Sequence, residues 1–172
     1  MLEEAVASLR AGDADDAGKD KWSPQINIGT SVLIPQRYVS DLELRLGLYR
    51  RLSDLVDQDE LRSFGAEMVD RFGTLPDEVE HLLEIVSIKL LCRRAGVSNV
   101  DAGPKGVVIK FHNASFANPA GLIGYISAQG SLAKLRPDHT LVLKREWPDP
   151  VERLKGTSVL LREIVRVAEA KT

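Results

Sequence analysis

One cysteine, Cys92, occurs in 172 residues. That number rules out an internal disulfide and any zinc site built on several cysteines, and it fits a reducing cytoplasm. Aromatic residues make up only 5% of the chain, so stacking platforms for single-stranded nucleic acid are scarce. No apolar run approaches the roughly 20 residues of a membrane-spanning helix. The first ten residues, MLEEAVASLR, are acidic and amphipathic, without the basic start and apolar run of a signal peptide. The formal charge is -2, so no strong overall field draws the chain to nucleic acid or an anionic membrane.

Catalytic and phosphate-binding motifs are missing too. There is no G-x-x-x-x-G-K-[ST] loop, no G-x-G-x-x-G and no G-x-S-x-G elbow. His81, His112 and His139 fall on a helix, a strand end and a turn, without metal-ligand spacing. DADDAGKD (13–20) faintly resembles a calcium loop, but Ala17 takes a ligand position and Pro24 replaces the bidentate Glu. The run reads as solvated charge. LYRRL (48–52), CRRAG (92–96) and LKREW (143–147) are short basic patches, each beside acidic residues. Nothing here marks an enzyme.

What is present is a core-forming composition, 44% hydrophobic and 28% charged. Leu2, Val6 and Leu9 share a stripe on a helix too short to stand alone, and AGDADDAGKDK behind it is a linker composition. Residues 1–11 therefore read as the tail of an upstream module, 12–24 as a disordered linker, and 25–172 as the domain. INIGTSVLIP (26–35) reads as an extended strand ended by Pro35. SDLE (40–43) is a capping box with Ser40 as cap, and Leu42, Leu46, Tyr49, Leu52 and Val56 follow at helical spacing. DQDE (57–60) repeats the box with Asp57 as cap, ahead of a stripe of Leu61, Phe64, Met68 and Phe72. Gly73 is placed to end that helix in the left-handed conformation.

A third helix should run from Leu75 or Pro76 to Ala95, with Gly96 as its stop. Its apolar residues (Val79, Leu82, Leu83, Val86 and Leu90, with Ile85 and Ile88) lie on several faces, as in a helix contacted from more than one side. The period then changes. VSNVDA and GVVIKFH read as strands joined near GPKG. NPAGLIGYISAQG is a short helix capped by Asn118 with Pro119 first and Gly130 last. LAKLR and TLVLKRE are strands joined by PDH. A final helix starts at Asp149 and Pro150 and buries Val151, Leu154, Ser158, Leu161, Val165 and Ala168. The class is α+β: an N-terminal strand and three-helix cluster, then a small, mostly antiparallel sheet with one short helix and a long C-terminal helix.

Two runs carry a family likeness. One is R-L-x-x-Y-x-R-L, here Arg45, Leu46, Tyr49, Arg51 and Leu52. The other is E-L-x-D-R-F-G-x-L-P, here Glu67 to Pro76, including Phe72 and Gly73, with Met68 in the Leu position. In this order, behind an IP segment, they resemble the C-terminal domain of the bacterial transcription-repair coupling factor (Mfd) family over residues 26–168. The resemblance implies a regulatory domain of an ATP-driven DNA translocase that acts on stalled RNA polymerase and recruits UvrA. ATP and Mg would belong to upstream motor domains, leaving this fragment without cofactor or catalysis. Its partner would be the N-terminal UvrB-like module, on which it docks and masks the UvrA-binding surface. UvrA, RNA polymerase and DNA would be reached only through the whole protein, in the cytoplasm, with no membrane contact. A stand-alone nucleic-acid-binding module is the alternative reading.

Within the signature, Glu67 and Asp70 are i,i+3 neighbours outside the buried stripe. Asp70 lies in the last turn, where the helix dipole disfavours a carboxylate, and Arg71 relieves this only in part. Glu67, Asp70 and Arg71 are the candidate interdomain contacts. The competing reading makes them solvated charges, or makes Asp70 a cap for the turn at Thr74.

Overall fold

Three helices follow one another between Leu42 and Ala95: α1 (Leu42–Asp54), α2 (Gln58–Phe72) and α3 (Asp77–Ala95). The computed structural model describes residues 23–30 and 32–170. The expected helix over 2–10, the calcium-like run and most of the linker lie outside the described residues. The described chain divides into two units, one built from residues 32–90 and the other from 24–30 and 91–170.

The starts of α1 and α2 differ in detail from the expected boxes. Asp41, not Ser40, caps α1, its carboxylate accepting from the Leu44 N–H at 3.2 Å. Asp57 caps α2 as expected, accepting from the Glu60 N–H at 2.8 Å, while Glu60 reaches back to the N–H of Val56 at 2.9 Å. Each bond satisfies a donor that the helix leaves open. Gly73 ends α2 with φ 94° and ψ -168°, outside the left-handed helical region and in backbone space that essentially only glycine occupies. Pro76 sits just before α3, its carbonyl accepting from Val79 and Glu80.

The first unit buries Ile34, Val39, Leu48, Tyr49, Leu52, Leu61, Phe64, Met68, Val79, Leu82, Val86 and Leu90 in one cluster. Burying each large side chain contributes about 1.5–3 kcal/mol. The α1 stripe is rotated from expectation: Arg45 and Leu48 are buried, whereas Val56 is 69% exposed, beyond the end of the helix. Phe72 is half-buried at the cluster's margin. Gln58 and Ser87 tie α2 to α3 through two hydrogen bonds of 3.1 and 3.0 Å. The last turn of α3 belongs to the second unit, so its broad apolar pattern serves two cores in succession.

The extended stretch 26–35 is divided as well. Only Gln25–Asn27 forms a strand, β1, before Gly29 turns the chain at φ 82°. The Ile34 N–H is taken by the Tyr49 hydroxyl at 2.7 Å, not by a strand partner.

The second unit holds a five-stranded sheet with β2 (Val97–Gly103), β3 (Gly106–Phe111), β4 (Ala133–Leu135) and β5 (Thr140–Lys144) in the order β1-β2-β3-β5-β4. Only β1 and β2 run parallel. Val100, Ala102, Val107, Ile109, Leu141 and Leu143 are buried on one face. Two helices complete the unit: α4 (Pro119–Gln129) packs on β4, and α5 (Pro150–Glu169) packs on α4 and β2. Asn118 caps α4 and also donates to the Val167 carbonyl at 2.9 Å, joining the two helices. On α5, Leu154, Ser158, Leu161 and Val165 are buried as expected. Arg153, Thr157, Leu160 and Ile164 widen that face, and Val151 and Ala168 are only half-buried.

The β2–β3 turn depends on Gly106, whose φ is 142° and whose position leaves no room for a Cβ against the Leu143 carbonyl oxygen. Gly106→Ala should therefore destabilise the protein by roughly 2–4 kcal/mol, read as a lower denaturation midpoint in urea. An unchanged midpoint would refute this account of the turn.

Candidate docking surface

The signature residues divide into those that hold the first unit together and those that face outward. Arg45 is buried with no carboxylate partner among the described residues. Its Nη1 donates to the carbonyls of Val39 at 2.7 Å and Ser40 at 3.1 Å, and its Nε has no partner among the described residues. Tyr49, one turn on, receives the Ile34 N–H, and burial raises its phenol pKa. Together these side chains fasten the loop 34–40 to α1. Near the other end of that loop, the Tyr38 hydroxyl donates between the carbonyls of Gly73 (2.7 Å) and Met68 (3.1 Å). The Tyr38 ring meets Phe72 edge-on at 5.7 Å. Arg37 completes the arrangement with an ion pair to Glu78 at 2.6 Å.

Glu67 is not a free carboxylate. Arg51 grips it through two nitrogens at 2.7 Å each, and Arg71 reaches it at 2.9 Å. Each arginine also lies over an aromatic ring, Arg51 on Phe64 at 5.0 Å and Arg71 on Phe72 at 4.9 Å. Hydrogen bonds from Arg51 first, then Arg71, hold the Glu67 carboxyl down to about 2. Two guanidinium groups are thereby fixed in place by one carboxylate. Asp70 is exposed and makes no ion pair or side-chain hydrogen bond among the described residues. It does not cap the turn at Thr74. The three candidate contacts thus lie on one stretch of α2, with Glu67 committed inside the chain, Arg71 partly engaged and Asp70 open.

The pairing of Arg51 with Glu67 bridges 16 positions in the sequence, and nothing local announces it. Arg153 was equally hidden. It is buried in α5 and donates to the carbonyls of Ile28 at 2.9 Å and Trp147 at 3.1 and 3.2 Å. The basic patches prove to be structural in part: Arg94 pairs with Glu169 at 2.6 Å, and Arg145 donates to Gln129 at 2.8 Å. His81 lies on α3, His112 after β3 and His139 in the β4–β5 turn. Among the described residues no three His, Cys, Asp or Glu side chains gather as a metal site. Burial pushes the Cys92 thiol up, away from the reactive thiolate. No described helix is long and apolar enough to cross a membrane.

This architecture is an α+β domain. The family model called the TRCF domain matches residues 28–122. Curated relatives named transcription-repair-coupling factor include one from Rickettsia bellii, 42% identical over 93% of this chain, and one from Escherichia coli K12, 29% identical over 95%. The chain spans only 13% and 14% of those two relatives' lengths. A crystal structure of the C-terminal domain of transcription-repair coupling factor superposes with a TM-score of 0.72 at 19% identity, covering 88% of this chain and 97% of that one. The chain belongs to the TRCF domain family of the transcription-repair-coupling factors.

Two outcomes follow for the signature. Tyr49→Phe should cost about 1–3 kcal/mol in chemical denaturation, because the buried Ile34 N–H loses its acceptor. An unaltered stability would remove the loop-fastening role. For Glu67, the folded pKa lies below the unfolded value, so the unfolded chain binds more protons between them. Its contribution is present above about pH 4.5 and is lost as pH falls toward about 2. The stability difference between wild type and Glu67→Gln should be constant at neutral pH and shrink across that window. A difference that persists undiminished at the acid end would contradict the pairing.

Proposed function

We propose that this domain is the regulatory docking domain of a transcription-repair coupling factor. It binds the N-terminal UvrB-like module of the same protein and masks the surface that recruits UvrA. In this reading ATP and Mg serve the upstream motor that works on DNA and stalled RNA polymerase in the cytoplasm, and this domain carries no catalysis of its own. The names of the relatives support the setting.

The observation that carries the reading is Asp70. A carboxylate in the last turn of a helix opposes the dipole, and among the described residues Asp70 has no internal partner to justify it. It stands one residue from Arg71, and Glu67 holds that guanidinium in position. A contact made by such groups needs little ordering on binding, yet exposed ion pairs give only about 0–1 kcal/mol each. A clamp assembled from a few of them opens readily when the motor engages its target. Glu67 serves here as the organiser of Arg51 and Arg71, while Asp70 and Arg71 meet the partner.

Titration of the UvrB-like module with wild type and with Asp70→Arg tests this. Binding should weaken at least about tenfold in the variant and fall with added salt. Glu43→Arg, on the exposed side of α1, should bind like wild type, and both variants should still unfold cooperatively in a thermal melt. Equal binding by wild type and Asp70→Arg would place the contact elsewhere.

A further inference from the structure

Charge is distributed unevenly along the second unit. Residues 101–146 carry six cations, Lys105, Lys110, Lys134, Arg136, Lys144 and Arg145, against three carboxylates, Asp101, Asp138 and Glu146. That is an excess of three positive charges in a chain whose total is -2. Asp138 is exposed and engaged on its own loop, accepting from the Thr140 N–H at 3.1 Å. None of the six cations forms an ion pair with a carboxylate among the described residues.

The sheet register sorts these charges. Val107, Ile109, Leu141 and Leu143 occupy the buried face, so Lys110 and Lys144, at alternate positions, occupy the other. Lys134 joins them through its pairing with Val142, on the same cross-strand line as Val108 and Asp101. All three lysines are exposed, whereas Val108 and Val142 between them are half-buried. Lys110 pairs with Thr140, four residues from Lys144, which separates their rows by about 13 Å at the usual strand rise. Lys134 lies two strands across and two residues along from Lys110, about 12 Å away, and one strand across and two residues along from Lys144, about 8 Å away.

We propose that this lysine-bearing face of the sheet binds the phosphate backbone of duplex DNA without reading its sequence. The three separations, roughly 8–14 Å, bracket the ~12 Å width of a major groove flanked by phosphates. The face carries no aromatic residue on which unpaired bases would stack, which disfavours a single strand. Its two valines supply no buried aromatic or arginine anchor of the kind that dominates protein interfaces. Lysines act as point charges toward phosphate and do not make the paired hydrogen bonds that identify a base. The proposal uses a different unit and different residues from the docking surface, and stands apart from it.

The test is fluorescence anisotropy of the whole 172-residue chain with a short labelled duplex of mixed sequence, from about 50 to about 200 mM salt. Wild type should bind, with a log–log salt slope of about -3 for three neutralised phosphates. Lys110→Gln/Lys134→Gln/Lys144→Gln should lose at least about tenfold in affinity at the lowest salt, with a slope near zero. Arg50→Gln, in the other unit, should behave as wild type. Should the triple variant fold poorly, acetylation of the wild-type lysines provides a second reading: DNA should protect Lys110, Lys134 and Lys144 more than Lys89. Equal binding by the triple variant, absence of binding by wild type, or uniform acetylation with and without DNA would each overturn the proposal. So would preferential capture of an acidic polyglutamate peptide over the duplex, which would assign the face to a protein.

Discussion

The loops of this domain are held by guanidinium groups that reach back from the first turns of helices. Arg45 and Arg153 occupy equivalent places, each donating its N–H to the carbonyl of an aspartate cap four residues earlier at 3.0 Å. Each then folds its side chain onto carbonyls of irregular backbone, Val39 and Ser40 in one unit, Ile28 and Trp147 in the other. A buried loop carbonyl without a partner costs free energy, and an arginine has five donors in a fixed fork with which to meet several at once. Gly29 is bound up in this arrangement, since a Cβ there would press against Arg153 Nη1 at 3.0 Å. Trp147 likewise lies where a Cβ on Gly156 would stand.

This constraint explains why a family likeness can rest on residues with no chemistry of their own. Arg45 and Tyr49 are one helical turn apart and serve the same loop. Phe72 and Gly73 shape the end of α2, where Tyr38 closes over two carbonyls. The charged part of the signature, Arg51, Glu67, Asp70 and Arg71, lies at the surface. The scaffold therefore fixes the geometry of a small charged surface: Phe64 and Phe72 carry the arginines, Glu67 spaces them, and Asp70 is presented beside them.

Much of the local structure was legible in the sequence. Asp57, Asn118 and Asp149 act as caps, Pro119 and Pro150 open their helices, and Gly96 and Gly130 mark helix ends, because these effects depend on a few adjacent residues. The errors cluster where two local solutions compete. Asp41 took the cap from Ser40, and Glu60 bonded one residue further back than the box prescribes. The run 26–35 carries several β-branched residues with partial alternation. Most of it nevertheless stays irregular, because Tyr49 takes the Ile34 N–H and Gly29 turns the chain.

Sequence by itself determined the α+β class, the order of helices and strands, most of the buried stripes and the family. Periodicity, caps and turn residues are short-range information. Tertiary structure alone decided the strand order β1-β2-β3-β5-β4, the division of α3 between two units and the burial of Arg45 and Arg153. It also converted Glu67 from a candidate contact into the centre of an internal ion-pair lattice, while leaving Asp70 open. Those outcomes depend on which distant side chain arrives within about 3 Å of a charge. Coulomb and hydrogen-bond energies change steeply over that distance, and sequence separation carries no record of it.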